Sequence, residues 1–335
     1  MKILAIDTSC DETAAAVTEG AKILSNVVWS QASQHAKFGG VVPSLAQRMH
    51  EERIDFVTQK ALTATHQSPD SVDAIAVTIG PGLSIALGVG INKAKELAKK
   101  YKKPLIAVNH IEAHLLSPLA NSKVNVQFAT YGLCISGGNT IFVEINKIGS
   151  YRVLAQTVDD ALGEALDKGA RMLGLGYPGG AILEKFARLG DPKEYTLPTP
   201  IIGQEERKIF TYSGLKTAFF RLVEKEKPLT KQKIYNLAAT YQNVAFNHLI
   251  RVMHFILANN KAPTSAGLLV GGGVAANVEV RKRLRKLCKE FGIKPLFPLS
   301  NKLYGDNAAM IGIAAFLNPK YISPSKIDRN PSAKL

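Results

Sequence analysis

A chain of 335 residues with 46% hydrophobic and 21% charged side chains has the make-up of a globular protein large enough for two domains or lobes. Its net charge of +15 is uneven, with 12 Lys/Arg against 11 Asp/Glu in residues 1–120 and 30 against 16 in residues 121–335, which suits a polyanionic partner such as nucleic acid. No apolar run reaches the length of a membrane span, Asp7 interrupts the apolar start too early for a signal peptide, and the distant Cys10, Cys134 and Cys288 fit a reduced cytoplasmic compartment rather than a disulfide framework.

In chain order, residues 2–8 read as an apolar strand ending in the polar turn Ser9-Cys10-Asp11-Glu12-Thr13, and a second strand follows at 14–18. Residues 73–78 predict a strand, and the segment after them, to about Tyr101, a helix. An apolar strand from Pro104 then runs into a helix carrying His110 and His114. Residues four apart share a helix face, so both imidazoles can reach one metal ion; a packed or solvent-facing pair is the plainer alternative. Glu112 falls on the wrong face for a metalloprotease base, and the chain has no His-Glu-x-x-His.

Residues 131–145 repeat the first hairpin, with Gly137-Gly138-Asn139 at the tip. Paired glycines let backbone approach a ligand, and successive N–H groups form an anion nest, although a plain hairpin turn has the same pattern. With Asp7-Thr8-Ser9-Cys10 in the first half, two such hairpins suit the phosphates of one nucleotide in an interlobe cleft. Helices dominate 161–189 and 231–258. Asp159, Asp160 and Glu164 at the start of the first suit its dipole, whereas Asp167, further in, could hold ribose hydroxyls; a sharp turn at 176–180 follows. A strand at 267–270 opens onto Gly271-Gly272-Gly273 and a helix from Ala275, which is neither a G-x-G-x-x-G fingerprint nor a Walker P-loop. On that helix Val280, Leu284 and Leu287 make a buried side opposite Arg281, Lys282, Arg283, Arg285, Lys286 and Lys289, a solvated face or an anion track. The last helix starts near Gly305 with Asp306 in its first turn, as cap, dipole partner or third ligand of a His-His-carboxylate set suited to Fe(II) or Zn(II). This succession argues α/β with mixed sheets flanked by helices.

Ten separated motifs resemble one family. They are Ile6-Asp-Thr-Ser-Cys-Asp-Glu-Thr13, Gly39-Gly-Val-Val-Pro43, Gly80-Pro-Gly-Leu83, Asn109-His-Ile-Glu-Ala-His114, Ser136-Gly-Gly138, Gly163-Glu-Ala165 with Asp167-Lys168, Tyr177-Pro-Gly-Gly180, Ser213-Gly-Leu-Lys-Thr-Ala218, Gly272-Gly-Val-Ala-Ala-Asn277 and Asp306-Asn-Ala-Ala-Met310. Across residues 2–317 the chain resembles the TsaD family of tRNA threonylcarbamoyladenosine-forming proteins, in its bacterial or organellar form.

The resemblance implies the actin-like ATPase (ASKHA) fold, two ribonuclease-H-like lobes with mixed sheets flanked by helices. We expect a first lobe at 1–125 with the histidines and partner-binding helices, a second at 126–317 with the substrate loops and basic surface, and a loosely ordered tail at 318–335. It implies transfer of threonylcarbamoyl from threonylcarbamoyl-AMP to the adenosine following the anticodon, in tRNAs that read codons starting with A. His110, His114 and Asp306 would hold one Fe2+ or Zn2+ ion; Cys134, Ile135, Ser136, Gly137 and Gly138 would line the substrate; Asp167, Gly180 and Asn277 would bind the adenylate. TsaB-like and TsaE-like proteins would be partners. Asn139, Ser44 and Ser84-Ile85 depart from the usual pattern without removing a ligand, although Asn139 replaces an imidazole common in bacterial members. Asp11 or Glu12, beside the first phosphate loop, is our candidate for removing the amine proton. The competing readings are a non-catalytic scaffold subunit and an ATPase or small-molecule kinase on the same fold.

Overall fold

The computed structural model describes residues 1–124, 126–260 and 267–335 of the chain. β1 (Lys2–Asp7) is almost wholly buried, and β2 (Glu12–Glu19) and β3 (Lys22–Ser30) fold back from it as an antiparallel meander. A single turn, α1 (Ala32–His35), precedes α2 (Pro43–Thr63), which opens on a proline where the helix needs no backbone N–H. β4 (Ala74–Gly80), α3 (Ser84–Lys100) and β5 (Leu105–Asn109) add two parallel strands beside β1, and α4 (His110–Leu116) begins where β5 stops.

β6 (Thr130–Ile135) and β7 (Thr140–Lys147) form the second hairpin, with β8 (Ser150–Thr157) next in the sheet. Helices α5 (Leu162–Met172) and α6 (Gly180–Ala187) follow, then β9 (Ile209–Phe210), α7 (Ser213–Lys225) and α8 (Lys231–Asn259). β10 (Gly267–Gly271), α9 (Val278–Glu290) and β11 (Lys294–Leu296) complete this part. The chain ends with α10 (Ala308–Leu317) and β12 (Tyr321–Ile322).

Two compact units result. The first holds residues 1–124, Ile148–Ser150 and Phe297–Leu335, around the sheet β12-β5-β4-β1-β2-β3. Its core joins Leu4, Ile6, Val77, Leu87 and Leu105. The second holds the described residues of Val126–Lys147 and Tyr151–Leu296, around the sheet β11-β10-β6-β7-β8-β9. The predicted boundary residue Asn125 lies outside the described residues.

The second lobe does not run to residue 317 as expected from the sequence: Phe297–Leu335 belongs to the first unit, and with it Asp306. Nor is the tail loosely held. β12 pairs antiparallel with β5, Ile327 is buried in the first core, and the Asn330 N–H donates to the Ile79 carbonyl at 2.7 Å. Apolar residues between the prolines supply burial that proline content alone conceals. The last helix also starts later than predicted. Asn307 caps it, its Oδ1 accepting from the Met310 N–H, so Asp306 stands just before the helix. Likewise α9 starts at Val278, after a 3-10 turn at Gly273–Ala276.

Candidate functional site

The histidine pair owes its geometry to how β5 ends. The Asn109 side chain caps α4, its Oδ1 accepting from the Ile111 and Glu112 N–H groups at 2.9 and 3.1 Å. This fixes the first turn and puts both imidazoles on one buried face, with ring centroids 4.6 Å apart. From the far end of the first unit Asp306 presents Oδ1 at 3.0 Å from Nε2 of His114 and 3.5 Å from Nε2 of His110. One donor atom from each residue lies within 4.8 Å of the others. Two imidazole nitrogens and a carboxylate oxygen, largely out of water, fit a divalent transition metal and leave coordination positions open. Glu112 is turned away, bonded to the Asn318 amide and near Lys320, which leaves it outside the donor set.

Charge at the site follows from burial and pairing. Burial presses His110 towards its neutral form, but the carboxylates of Asp306 and Asp7 overcome this and hold its pKa up at about 9. Burial dominates at His114 and lowers its pKa. Burial opposes ionisation of Asp306 too, yet the His110 charge and the bonds from both histidines hold its carboxyl well below the usual range. Asp7 is raised by burial against the pull of His110.

Asp11 and Glu12 lie in the same unit, Asp11 in the turn between β1 and β2 and Glu12 as the first residue of β2. Burial, then the neighbouring charges of Asp11 and Asp306, push Glu12 well above the usual carboxylate range, and the Ser30 hydroxyl bonds its Oε1 at 3.2 Å. His50 on α2 braces this turn, a role the sequence did not reveal. Its Nε2–H donates to the Cys10 carbonyl at 3.0 Å, and its Nδ1 accepts from the Thr13 hydroxyl at 2.8 Å.

The other predicted residues lie in the second unit. Cys134 and Ile135 are fully buried, so only their backbone can line a ligand. In the loop after them the Asn139 N–H bonds the Ser136 hydroxyl, while a Cβ on Gly137 or Gly138 would meet nothing within 4 Å. Nothing in the fold demands glycine there; the open backbone suits a ligand lying against it. β10 runs parallel to β6 with Gly271 opposite Cys134, so the two glycine loops sit side by side. At Gly272, with φ 93°, a Cβ would lie 2.4 Å from the Ile135 carbonyl oxygen, so the position requires glycine. Gly163, not among the predicted site residues, packs α5 against Ser136, whose carbonyl accepts its N–H at 3.2 Å. Asp167 Oδ1 accepts from the N–H groups of Gly179 and Gly180 at 2.8 and 2.7 Å, so Asp167 and Gly180 form one unit. Asn277 caps α9 through Oδ1 and gives its amide to Gln242 at 2.9 Å.

Residues 22–313 match the sequence profile of TsaD, tRNA N6-adenosine threonylcarbamoyltransferase. A protein of that name from Pelagibacter ubique (strain HTCC1062) is 42% identical over 334 residues, covering 97% of this chain and 92% of its own. Another from Chelativorans sp. (strain BNC1) is 45% identical over 322 residues, covering 93% and 88%. Among solved structures, (R)-2-hydroxyglutaryl-CoA dehydratase component A from Acidaminococcus fermentans covers 94% of this chain and 98% of its own, with a TM-score of 0.55 at 14% identity. A ROK family glucokinase from Streptomyces griseus covers 95% and 99%, with a TM-score of 0.52 at 13% identity. At those identities the likeness is one of fold, and the fold is the actin-like ATPase type expected from the motifs.

Proposed function

The chain belongs to the TsaD family of tRNA N6-adenosine threonylcarbamoyltransferases, and from that premise we propose the donor, the acceptor position and the residues that serve them. The donor is threonylcarbamoyl-AMP, and the acceptor is N6 of the adenosine 3′ of the anticodon in tRNAs reading codons that begin with A. The observation that carries the site assignment is the convergence of His110 Nε2, His114 Nε2 and Asp306 Oδ1 in the first unit, with both histidines buried and Asp306 half-buried.

These three residues would hold the ion, Fe2+ or Zn2+; when bound it supplies a Lewis acid for a carbonyl or phosphoryl oxygen. The adenylate carries a good leaving group, so the protein's main tasks are to place the acceptor and receive its proton. Glu12 at the start of β2, or Asp11 beside it, is our candidate to take that proton. The open backbone at 136–138, beside Gly272, receives the adenylate, and Asp167 holds the turn at Gly180 in shape for the ribose.

The basic helix α9 gives the tRNA a surface. Its buried side is Val280, Leu284, Leu287 and Cys288, and Lys282, Arg285, Lys286 and Lys289 stand exposed. At 100° per residue these four fall on one stripe, about 10 Å long at 1.5 Å rise per residue, which matches a short run of phosphates. Partners similar to TsaB and TsaE complete the assembly, a step that rests on the family resemblance. No helix among the described residues is long and apolar enough to cross a membrane, and we place the protein in the cytoplasm with its tRNA.

The test is reconstitution. The protein, its cognate partners, threonylcarbamoyl-AMP and unmodified tRNA are combined, and the nucleosides are separated by chromatography. Product with wild type and none with His110→Ala is the expected result. No product from wild type, with partners shown competent beside another family member, would move the chain to the scaffold reading.

A further inference from the structure

We propose that Asp7 is a positioning residue of the metal centre: its carboxylate faces Nδ1 of His110 and fixes that imidazole as the Nδ1–H tautomer, so that Nε2 is the atom offered to an ion. The proposal rests on His110, His114 and Asp306 being the metal ligands.

Two buried atoms point to it. Asp7 Oδ2 and His110 Nδ1 are both shielded from solvent, neither has a hydrogen-bond partner, and they face each other at 3.7 Å. The other carboxylate oxygen, Oδ1, accepts the Ser9 N–H at 3.2 Å. Asp7 ends β1, a strand held on both sides by β2 and β4, so its place is set by the sheet. A carboxylate in that position is costly unless donors answer it; the Ser9 and Thr78 hydroxyls lie beside it, and the His110 ring is the group that can answer it with a charge of opposite sign.

Two other roles fit less well. As a direct ligand, Asp7 would have to reach around the ring, because Oδ2 meets the Nδ1 edge while Nε2 is the edge that approaches Asp306. As part of a phosphate loop, it would need an outward-facing oxygen, and Oδ2 is buried towards His110. A carboxylate behind a ligating imidazole orients the ring and raises its basicity, and loss of such a group typically weakens metal binding 10- to 100-fold.

The experiment uses Co2+ as the probe with full-length wild type, Asp7→Asn, Asp7→Ala and His114→Ala. We expect Asp7→Ala to bind one Co2+ with affinity about 10- to 100-fold weaker. Asp7→Asn, which keeps an oxygen for the Nδ1 proton, should lose less. At saturation the Co2+ absorption bands of both should match wild type, because the ligands are unchanged. Wild-type affinity in both Asp7 variants overturns the proposal, as does a changed spectrum at saturation, which would make Asp7 a ligand. Wild-type affinity in His114→Ala instead removes the metal site itself. Should the Asp7 variants fail to fold, long-range 15N–1H correlation on the zinc-loaded wild type decides the matter. A proton on Nδ1 of His110 with metal on Nε2 supports the assignment, and the reverse overturns it.

Discussion

Metal affinity should depend on pH with a slope set by one proton. In the metal-free protein His110 titrates at about 9, held up against burial by Asp306 and Asp7. Below that pH its Nε2 carries a proton that any ion must displace. His114, lowered by burial, is neutral at pH 7, and Asp306, held well below its usual range, is ionised throughout. Neither adds to the slope. His114 has only to move its proton from Nε2, where it bonds Asp306, to Nδ1. The apparent association constant should therefore fall tenfold per pH unit below about 9. From pH 9 to pH 7 the loss is about 100-fold, or about 2.7 kcal/mol at 1.36 kcal/mol per unit.

Zn2+ competition against a chromophoric chelator, repeated across pH, measures the slope, and calorimetry in two buffers counts the proton released. A flat profile would mean a neutral His110, and a slope of two would mean that His114 is charged as well; either refutes the reasoning. Stability of the metal-free protein must run the other way. A folded-state pKa raised from 6.5 to about 9 contributes stability that is fully present below 6.5 and lost as pH rises through 9. Metal binding strengthens over the same interval.

Three further outcomes follow from the packing. Gly163→Ala would place a Cβ 2.5 Å from the Ser136 carbonyl, and since that neighbour is backbone we expect a loss of about 1–3 kcal/mol in thermal unfolding and a raised KM for the adenylate; an unchanged KM would separate Gly163 from the substrate loop. His50→Ala leaves the Cys10 carbonyl and the Thr13 hydroxyl without their partner, which should cost about 2–3 kcal/mol and lower kcat while metal content stays at one equivalent. Reversing Lys282, Lys286 and Lys289 to Glu should weaken tRNA binding and reduce the salt slope by about 2–3, measured by filter binding across ionic strength; an unchanged slope would return α9 to a solvated face.

Much of this was legible because the signals are local. The spacing of His110 and His114 needs only a helix, and the apolar spacing on α9 needs only its 3.6-residue period. What was missed depends on distant partners. Asp7 looks like the end of a strand until His110 is placed behind it. Gly163 looks like a helix-forming flaw until the Ser136 backbone is seen against it. The meander strand β3 mixes polar and apolar residues at the sheet edge, which blurs its alternation, and the return of residues 297–335 to the first unit leaves no mark in composition. Asn277 shows a related limit: the motif marks the residue, while its bonds show a helix cap.

The most direct test of the central claim is to titrate metal into metal-free protein and follow threonylcarbamoyl transfer to tRNA at each step. With partners and donor in excess, product formation should rise linearly and level off at one equivalent of ion per chain. Asp306→Asn, with one of the three donors altered, should show neither tight binding nor transfer. Full transfer by metal-free wild type, or by Asp306→Asn without bound metal, would contradict the assignment of these residues to the reaction.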